Sequence, residues 1–278
     1  MSAIIFDGKR FAEEMLAKLK EKRREFENLR LDAVLAGNDS ASFSFLKEKE
    51  KAAKALDIDF KLHQIDENIS NTQLRKEIVR VGKIKSVDGL IVQLPLPKHI
   101  NTQYILNAIS PEKDIDVLSQ KSLGAFYVDR SKILPPTVEA IKKVFEVYLP
   151  QVGKDLSKSR VVIVGAGRLV GKPIAVWLIN QKRAVSIIDV EAFDLEKIVK
   201  EADILISGVG QANLIKKEMV KDGVFALDFG YSKIDGKNFG DIDESVKEKA
   251  SFFTPAIGGL GPVTVASLAE NIFKIKNK

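Results

Sequence analysis

Along the first third of the chain the apolar positions recur every three or four residues, then run together, then recur again. Lys9 to about Phe26 predicts a charged amphipathic helix, Leu31–Ala36 a strand, and Phe45–Leu56 a second helix. Phe60–Ile65 and Gly89–Val92 read as further strands, with a helical run over Thr72–Val81 between them. Such alternation predicts an α/β layered domain with a mostly parallel sheet. No internal repeat is visible.

From Leu94 to Pro136 the pattern breaks up, punctuated by Pro95, Pro97, Pro111, Gly124, Pro135 and Pro136, and reads as a connector that builds a site or joins lobes. A helix over Thr137–Tyr148 follows. A second alternating series then runs through strand Val161–Val164, a glycine-rich turn, a helix to about Asn180, strand Val185–Ile188, a helix near Leu195–Lys200, and strands Ile204–Ser207 and Val224–Asp228. These are the parts of a doubly wound, Rossmann-like nucleotide fold. The last helix, from Pro262 to Lys276, carries the chain away from this lobe and is expected to return to the first. The expected division is 1–136 with 255–278 as one domain and 137–254 as the inserted other.

Length agrees: 278 residues exceed one ordinary core and suit two modest domains. With 45% hydrophobic and 29% charged residues the chain is able to bury a core, which excludes intrinsic disorder. There is no cysteine, and only His63 and His99, so neither a disulfide framework nor a metal site is expected. The opening apolar run is cut short by Asp7, Lys9 and Arg10, unlike a secretory signal, and no stretch reaches the length of a membrane span. A cytoplasmic protein without a membrane partner is the expectation. The formal charge of +6 comes from basic residues scattered among acids, as in Glu21–Glu25, rather than gathered with aromatics, so a solvated surface is preferred to a nucleic-acid site.

Three features carry chemistry. Gly165-Ala166-Gly167-Arg168-Leu169-Val170-Gly171 follows an apolar strand and opens a helix, where small residues let a backbone approach a pyrophosphate. Its spacing, Gly-x-Gly-x-x-x-Gly, is one residue longer than the standard fingerprint. Asp189 ends the next strand, where a carboxylate accepts from the adenosine ribose and repels a 2′-phosphate, which leans toward NAD over NADP. An exposed strand-end aspartate is the bland alternative, and Arg168, Lys172 and Arg183 stand near enough in sequence to offset its charge.

The second feature is a lysine on an apolar stripe. At about 100° per residue, Ser42, Phe45, Lys49, Ala52, Ala53 and Leu56 share one helix face, opposite Lys47, Lys51 and Lys54. Held against apolar neighbours, Lys49 favours its neutral form and suits proton transfer. Alternatively its stem lies along the core edge and the ammonium reaches water. The helix alone leaves both open. Third, Gln93 follows a buried-looking strand and Asp114 and Asp116 lie in the connector, where such groups read a heterocycle's donors and acceptors. Asp114 reads better as a turn former.

Taken in order, Val92–Pro97, Pro111–Asp116, Val164–Pro173 and Gly258–Thr264 closely resemble the bifunctional methylenetetrahydrofolate dehydrogenase/cyclohydrolase family over nearly the whole chain. The resemblance implies a homodimer whose first lobe and returning helix flank a folate cleft, with a nicotinamide-binding domain inserted. It implies hydride transfer from 5,10-methylenetetrahydrofolate to NAD or NADP, then hydration of the methenyl cation to 10-formyltetrahydrofolate. The family's serine–tyrosine–lysine motif falls on Ser42, Phe45 and Lys49. Gln93 is implied to support the lysine, Asp116 to anchor the pterin, and Gly258 and Gly259 to line the cleft. Gly165, Ala166, Gly167, Gly171, Asp189, Val190 and Tyr231 are implied to hold the cofactor.

Three departures stand out. Phe45 replaces the tyrosine, keeping a ring but losing the phenol, so weakened cyclohydrolase activity is expected. Ala166 and Gly167 replace the usual Arg-Ser of the cofactor loop, and Asp189-Val190-Glu191 replaces a more basic or hydroxyl-bearing segment. Val117 follows Asp116 where the family usually has glycine. The competing readings are another two-lobed nicotinamide dehydrogenase, which leaves Lys49, Gln93 and Gly258–Thr264 unexplained, and a folate-binding protein without catalysis.

Overall fold

Six of the seven residues of strand Arg30–Ala36 are buried, because this strand is covered on both faces. It is the centre of a three-stranded parallel sheet, flanked by Asp59–Ile65 and Gly89–Val92. Leu31, Ala33 and Leu35 pack with Ala53, Leu56, Ile272 and Phe273 on one side. Val34 and Ala36 pack with Leu74, Ile78 and Val81 on the other.

The computed structural model describes residues 3–191 and 194–277, which fall into two compact units. The three-stranded unit comprises Glu13–Pro136 and Val265–Lys278; the other comprises Met1–Ala12 and Thr137–Thr264. The C-terminal helix, Leu260–Lys276, gives Leu268, Ala269, Ile272 and Phe273 to the core of the three-stranded unit, as a returning helix should.

In the second unit six parallel strands run in the order Ile4–Ile5, Phe252–Phe253, Phe225–Asp228, Ile204–Ser207, Val161–Val164, Val185–Ile188. The last four follow the doubly wound pattern read from the sequence. The first two are only two residues long, too short for any periodicity to mark them. They explain why the compact units part from the expected boundaries at Met1–Ala12 and at 255–264, both of which join this unit. Phe6 packs on Tyr148 and Phe252 at ring separations of 5.5 and 5.6 Å, fastening the N-terminal strand there.

The connector from Leu94 to Pro136 is less irregular than its composition suggests. It holds two short helices, Thr102–Leu106 and Gln120–Tyr127, whose caps Asn101 and Ser119 accept from the backbone N–H groups of Tyr104 and Ser122. A further hairpin, Ser232–Ile234 with Lys237–Phe239, follows the strand that ends at Asp228. Among the described residues no helix is long and apolar enough to cross a membrane.

Candidate active site

In the three-stranded unit the polar groups gather at the carboxyl ends of the strands, where ligands bind in open α/β sheets. The central strand leads into helix Ser40–Ala55, whose cap Asp39 accepts from the Ser42 N–H at 2.7 Å. Gln93 follows strand Gly89–Val92 directly, and its N–H still donates to Val34 O in the ladder. Its side-chain amide donates to Leu94 O at 2.7 Å, which leaves the carbonyl oxygen pointing at Lys49.

The Lys49 ammonium donates to that Gln93 oxygen at 3.2 Å and stands 3.9 Å from the Asp116 carboxylate. The Lys49 and Asp116 side chains are only 16% and 18% exposed. The helix therefore delivers Lys49 neither to an apolar wall nor to open water but to two acceptors. Burial pushes the Asp116 carboxyl above the usual carboxylate range; the Lys49 charge opposes the shift and Asp114 adds to it.

The apolar stripe of this helix is core only over part of its length. Leu46, Ala52, Ala53 and Leu56 are buried, but Phe45 is 46% exposed, so the expectation that it shares the buried face is corrected. Phe45 thus presents an aromatic surface one helical turn before Lys49. Ser42 is buried, and its hydroxyl has no hydrogen-bond partner among the described residues.

Asp114 is the turn former that its loop position suggests. Fully buried, it accepts from the N–H groups of Leu118 and Ser119 at 3.1 and 2.8 Å. Gly258 and Gly259 lie in the other compact unit, where Gly258 has φ +74 and lies beside the Lys9 side chain.

In the six-stranded unit the turn after Val161–Val164 brings backbone against backbone. Gly165 has φ +98, and a Cβ there would meet Gly208 O at 3.0 Å. At Gly171, the first residue of helix Gly171–Asn180, a Cβ would fall 1.7 Å from Gly165 O, so only glycine fits. This is the cradle that a pyrophosphate needs, closed by a helix start whose preceding residue, Val170, makes no side-chain cap. The residues present fit a dinucleotide.

The other cofactor candidates follow neighbouring strands. Asp189 is exposed after Val185–Ile188, and one of its oxygens accepts from the Val190 N–H at 2.8 Å. Ala166 and Gly167 continue the turn after Gly165, and Tyr231 follows Phe225–Asp228 with its hydroxyl donating to Asn238 at 3.0 Å.

Sequence reading missed Asp241. Fully buried, it accepts from Ser207 Oγ and from the N–H groups of Val209, Gly210 and Gln211 at 2.6–2.9 Å, and so shapes the loop that faces Gly165. Nothing local marks it, because its partners lie thirty or more residues away. Beside it, burial pushes the Asp228 carboxyl up to about 7, with the Asp241 charge adding to the rise.

Comparison with known proteins also divides the chain into two domains. Residues 6–116 match the tetrahydrofolate dehydrogenase/cyclohydrolase catalytic domain, and residues 135–278 match the NAD(P)-binding domain of the same family. The bifunctional protein FolD of an Exiguobacterium species is 36% identical over 99% of both chains. The Campylobacter jejuni bifunctional FolD methylenetetrahydrofolate dehydrogenase/cyclohydrolase superimposes with a TM-score of 0.93 at 34% identity, covering 99% of each chain. The Trypanosoma brucei enzyme, solved with NADP and an inhibitor, gives 0.91 at 28% identity, covering 99% of this chain and 97% of its own.

Proposed function

Since this chain belongs to the tetrahydrofolate dehydrogenase/cyclohydrolase family, and so is a methylenetetrahydrofolate dehydrogenase/methenyltetrahydrofolate cyclohydrolase, we propose that Lys49, Gln93 and Asp116 are its catalytic centre. The observation that carries this reading is the Lys49 amine held between the Gln93 carbonyl and the Asp116 carboxylate.

Two reactions make different demands. Oxidation of the methylene group requires the folate to be held in line with its acceptor, and orientation supplies most of that step. The bound nicotinamide supplies the hydride acceptor. In the second reaction water adds to the methenyl carbon, the bond from that carbon to N5 breaks, and a proton is released as 10-formyltetrahydrofolate forms. That step needs a positioned water and somewhere for its proton to go. Lys49 serves it, Gln93 fixes the direction of the amine, and Asp116 reads the donors of the pterin. Ser42 and the exposed Phe45 ring complete the folate contacts of the three-stranded unit in this reading.

Phe45 lacks the hydroxyl that the family's tyrosine would offer, so hydrolysis is the weaker of the two activities. Phe45→Tyr is expected to raise the rate of methenyl hydrolysis about two- to tenfold, the equivalent of one net hydrogen bond, with little change in hydride transfer. Loss of methenyl absorbance followed alongside nicotinamide reduction checks this, and an unchanged hydrolysis rate would count against a role for the hydroxyl.

Gly165, Ala166, Gly167, Gly171, Asp189, Val190 and Tyr231 bind the cofactor, and Asp189 favours NAD. Its exposed carboxylate suits a ribose diol and repels a 2′-phosphate. Half-saturation with NAD is expected well below that with NADP, and Asp189→Ser is expected to narrow the gap about tenfold, the effect of about 1.4 kcal/mol. A native enzyme saturated by NADP at the lower concentration would overturn the preference. A cytoplasmic homodimer is the assembly this reading takes from the family resemblance, and light scattering on the purified chain tests the oligomeric state.

A further inference from the structure

We propose that Asn271, on the C-terminal helix, is a positioning residue for Asp116. Its side-chain amide holds the turn Lys113–Val117 in the shape that directs the Asp116 carboxylate at Lys49. The inference rests on the assignment of Asp116 to the pterin.

Asn271 is fully buried, among helix neighbours Leu268, Ile272 and Phe273 that belong to the apolar core. A leucine would satisfy such a position, and an asparagine there carries a desolvation cost unless its polar atoms are used. The side-chain oxygen has no hydrogen-bond partner among the described residues, but both amide protons are used. They go to Ile115 O at 2.8 Å and Leu134 O at 2.9 Å, two loop carbonyls more than a hundred residues earlier in the chain. Ile115 immediately precedes Asp116, so the amide grips the peptide that sets the direction of the acid.

Something must grip it, because the next residue is strained. Val117 has φ +57, and among the described non-glycine residues with left-handed backbone it alone is β-branched. A β-branched side chain in that region crowds its own backbone, and such a conformation persists only where the surroundings impose it. Asp114 imposes it from downstream through the N–H groups of Leu118 and Ser119. Asn271 imposes it from upstream, and the Ile115 side chain is buried in the core between the two. Released on the upstream side, the Ile115–Asp116 peptide turns, Val117 relaxes to negative φ, and the Asp116 carboxylate swings away from Lys49.

Asn271→Leu keeps the volume and removes both donors. It is expected to raise the KM for methylenetetrahydrofolate about tenfold while the KM for the nicotinamide nucleotide stays within about twofold. Val117→Gly added to the same chain is expected to recover most of that loss, because glycine adopts φ +57 without a clash. A purely structural asparagine would lower thermal stability without this split and without this rescue. A folate KM within twofold of the native value, a parallel rise for both substrates, or no recovery with Val117→Gly would each overturn the proposal. If Asn271→Leu does not fold, Asn271→Ser is judged by the same criteria. Asp116→Asn is measured beside them: an unchanged folate KM in that variant overturns the pterin assignment itself, whereas a raised one beside an unaffected Asn271→Leu overturns only the positioning role.

Discussion

Lys49→Met is expected to lower methenyltetrahydrofolate hydrolysis by about 10²–10⁴-fold, the usual contribution of a positioned proton-transfer group, while hydride transfer falls by about tenfold or less. Methionine preserves the apolar stem and the helix, so what is lost is the amine. The Gln93 oxygen at 3.2 Å and the Asp116 carboxylate at 3.9 Å lose the cation they share. Asp116, already raised by burial, is then raised further, because the Lys49 charge was the influence holding it down. Pterin affinity therefore weakens as well, which accounts for the smaller fall in dehydrogenation. Single-turnover hydrolysis of the methenyl compound, read beside steady-state nicotinamide reduction, separates the two effects. Equal losses in both would show that Lys49 only holds the folate.

The second large effect is expected in the other unit. Gly171→Ala places a methyl group 1.7 Å from Gly165 O, a contact no rotamer can relieve because both partners are backbone. The turn and the start of helix Gly171–Asn180 must move apart, at about 1–3 kcal/mol or more for overpacking of this kind. The thermal midpoint falls, and the KM for the nicotinamide nucleotide rises by more than about tenfold, since the displaced turn is the proposed phosphate cradle. Gly124→Ala is the matched control. Gly124 lies within helix Gln120–Tyr127 with nothing within 4 Å of an added Cβ, so alanine there is expected to stabilise by about 0.4–1 kcal/mol. Similar behaviour of the two variants would mean that the close approach at Gly171 does not decide cofactor binding.

Strands carried by short apolar runs were readable without a structure. Gly89–Val92, Val161–Val164, Val185–Ile188 and Ile204–Ser207 occur where the pattern places them, and helices Gly171–Asn180 and Leu195–Lys200 follow in turn. The misses have a common cause. Ile4–Ile5 and Phe252–Phe253 are too short to carry a period, and they count as strands only because each finds a parallel neighbour far away in sequence. The helices inside the proline-rich connector are five and eight residues long and start at caps Asn101 and Ser119, too brief to show a helical period between the prolines. Phe45 misled in the opposite sense, since helical periodicity reports a shared face but not what covers each position on it.

The sequence by itself determined two α/β units, the glycine turn at Gly165–Gly171, and the residues Lys49, Gln93 and Asp116 as chemistry out of keeping with their surroundings, because hydrophobic period and local steric demands are properties of neighbours along the chain. It left two readings of Lys49 open and attached no meaning to Asn271 or Asp241. Tertiary structure decided those, because the hydrogen-bond partners of each lie forty or more residues away in the first two cases and some thirty in the third, and a buried polar group is defined by the partners that replace water around it.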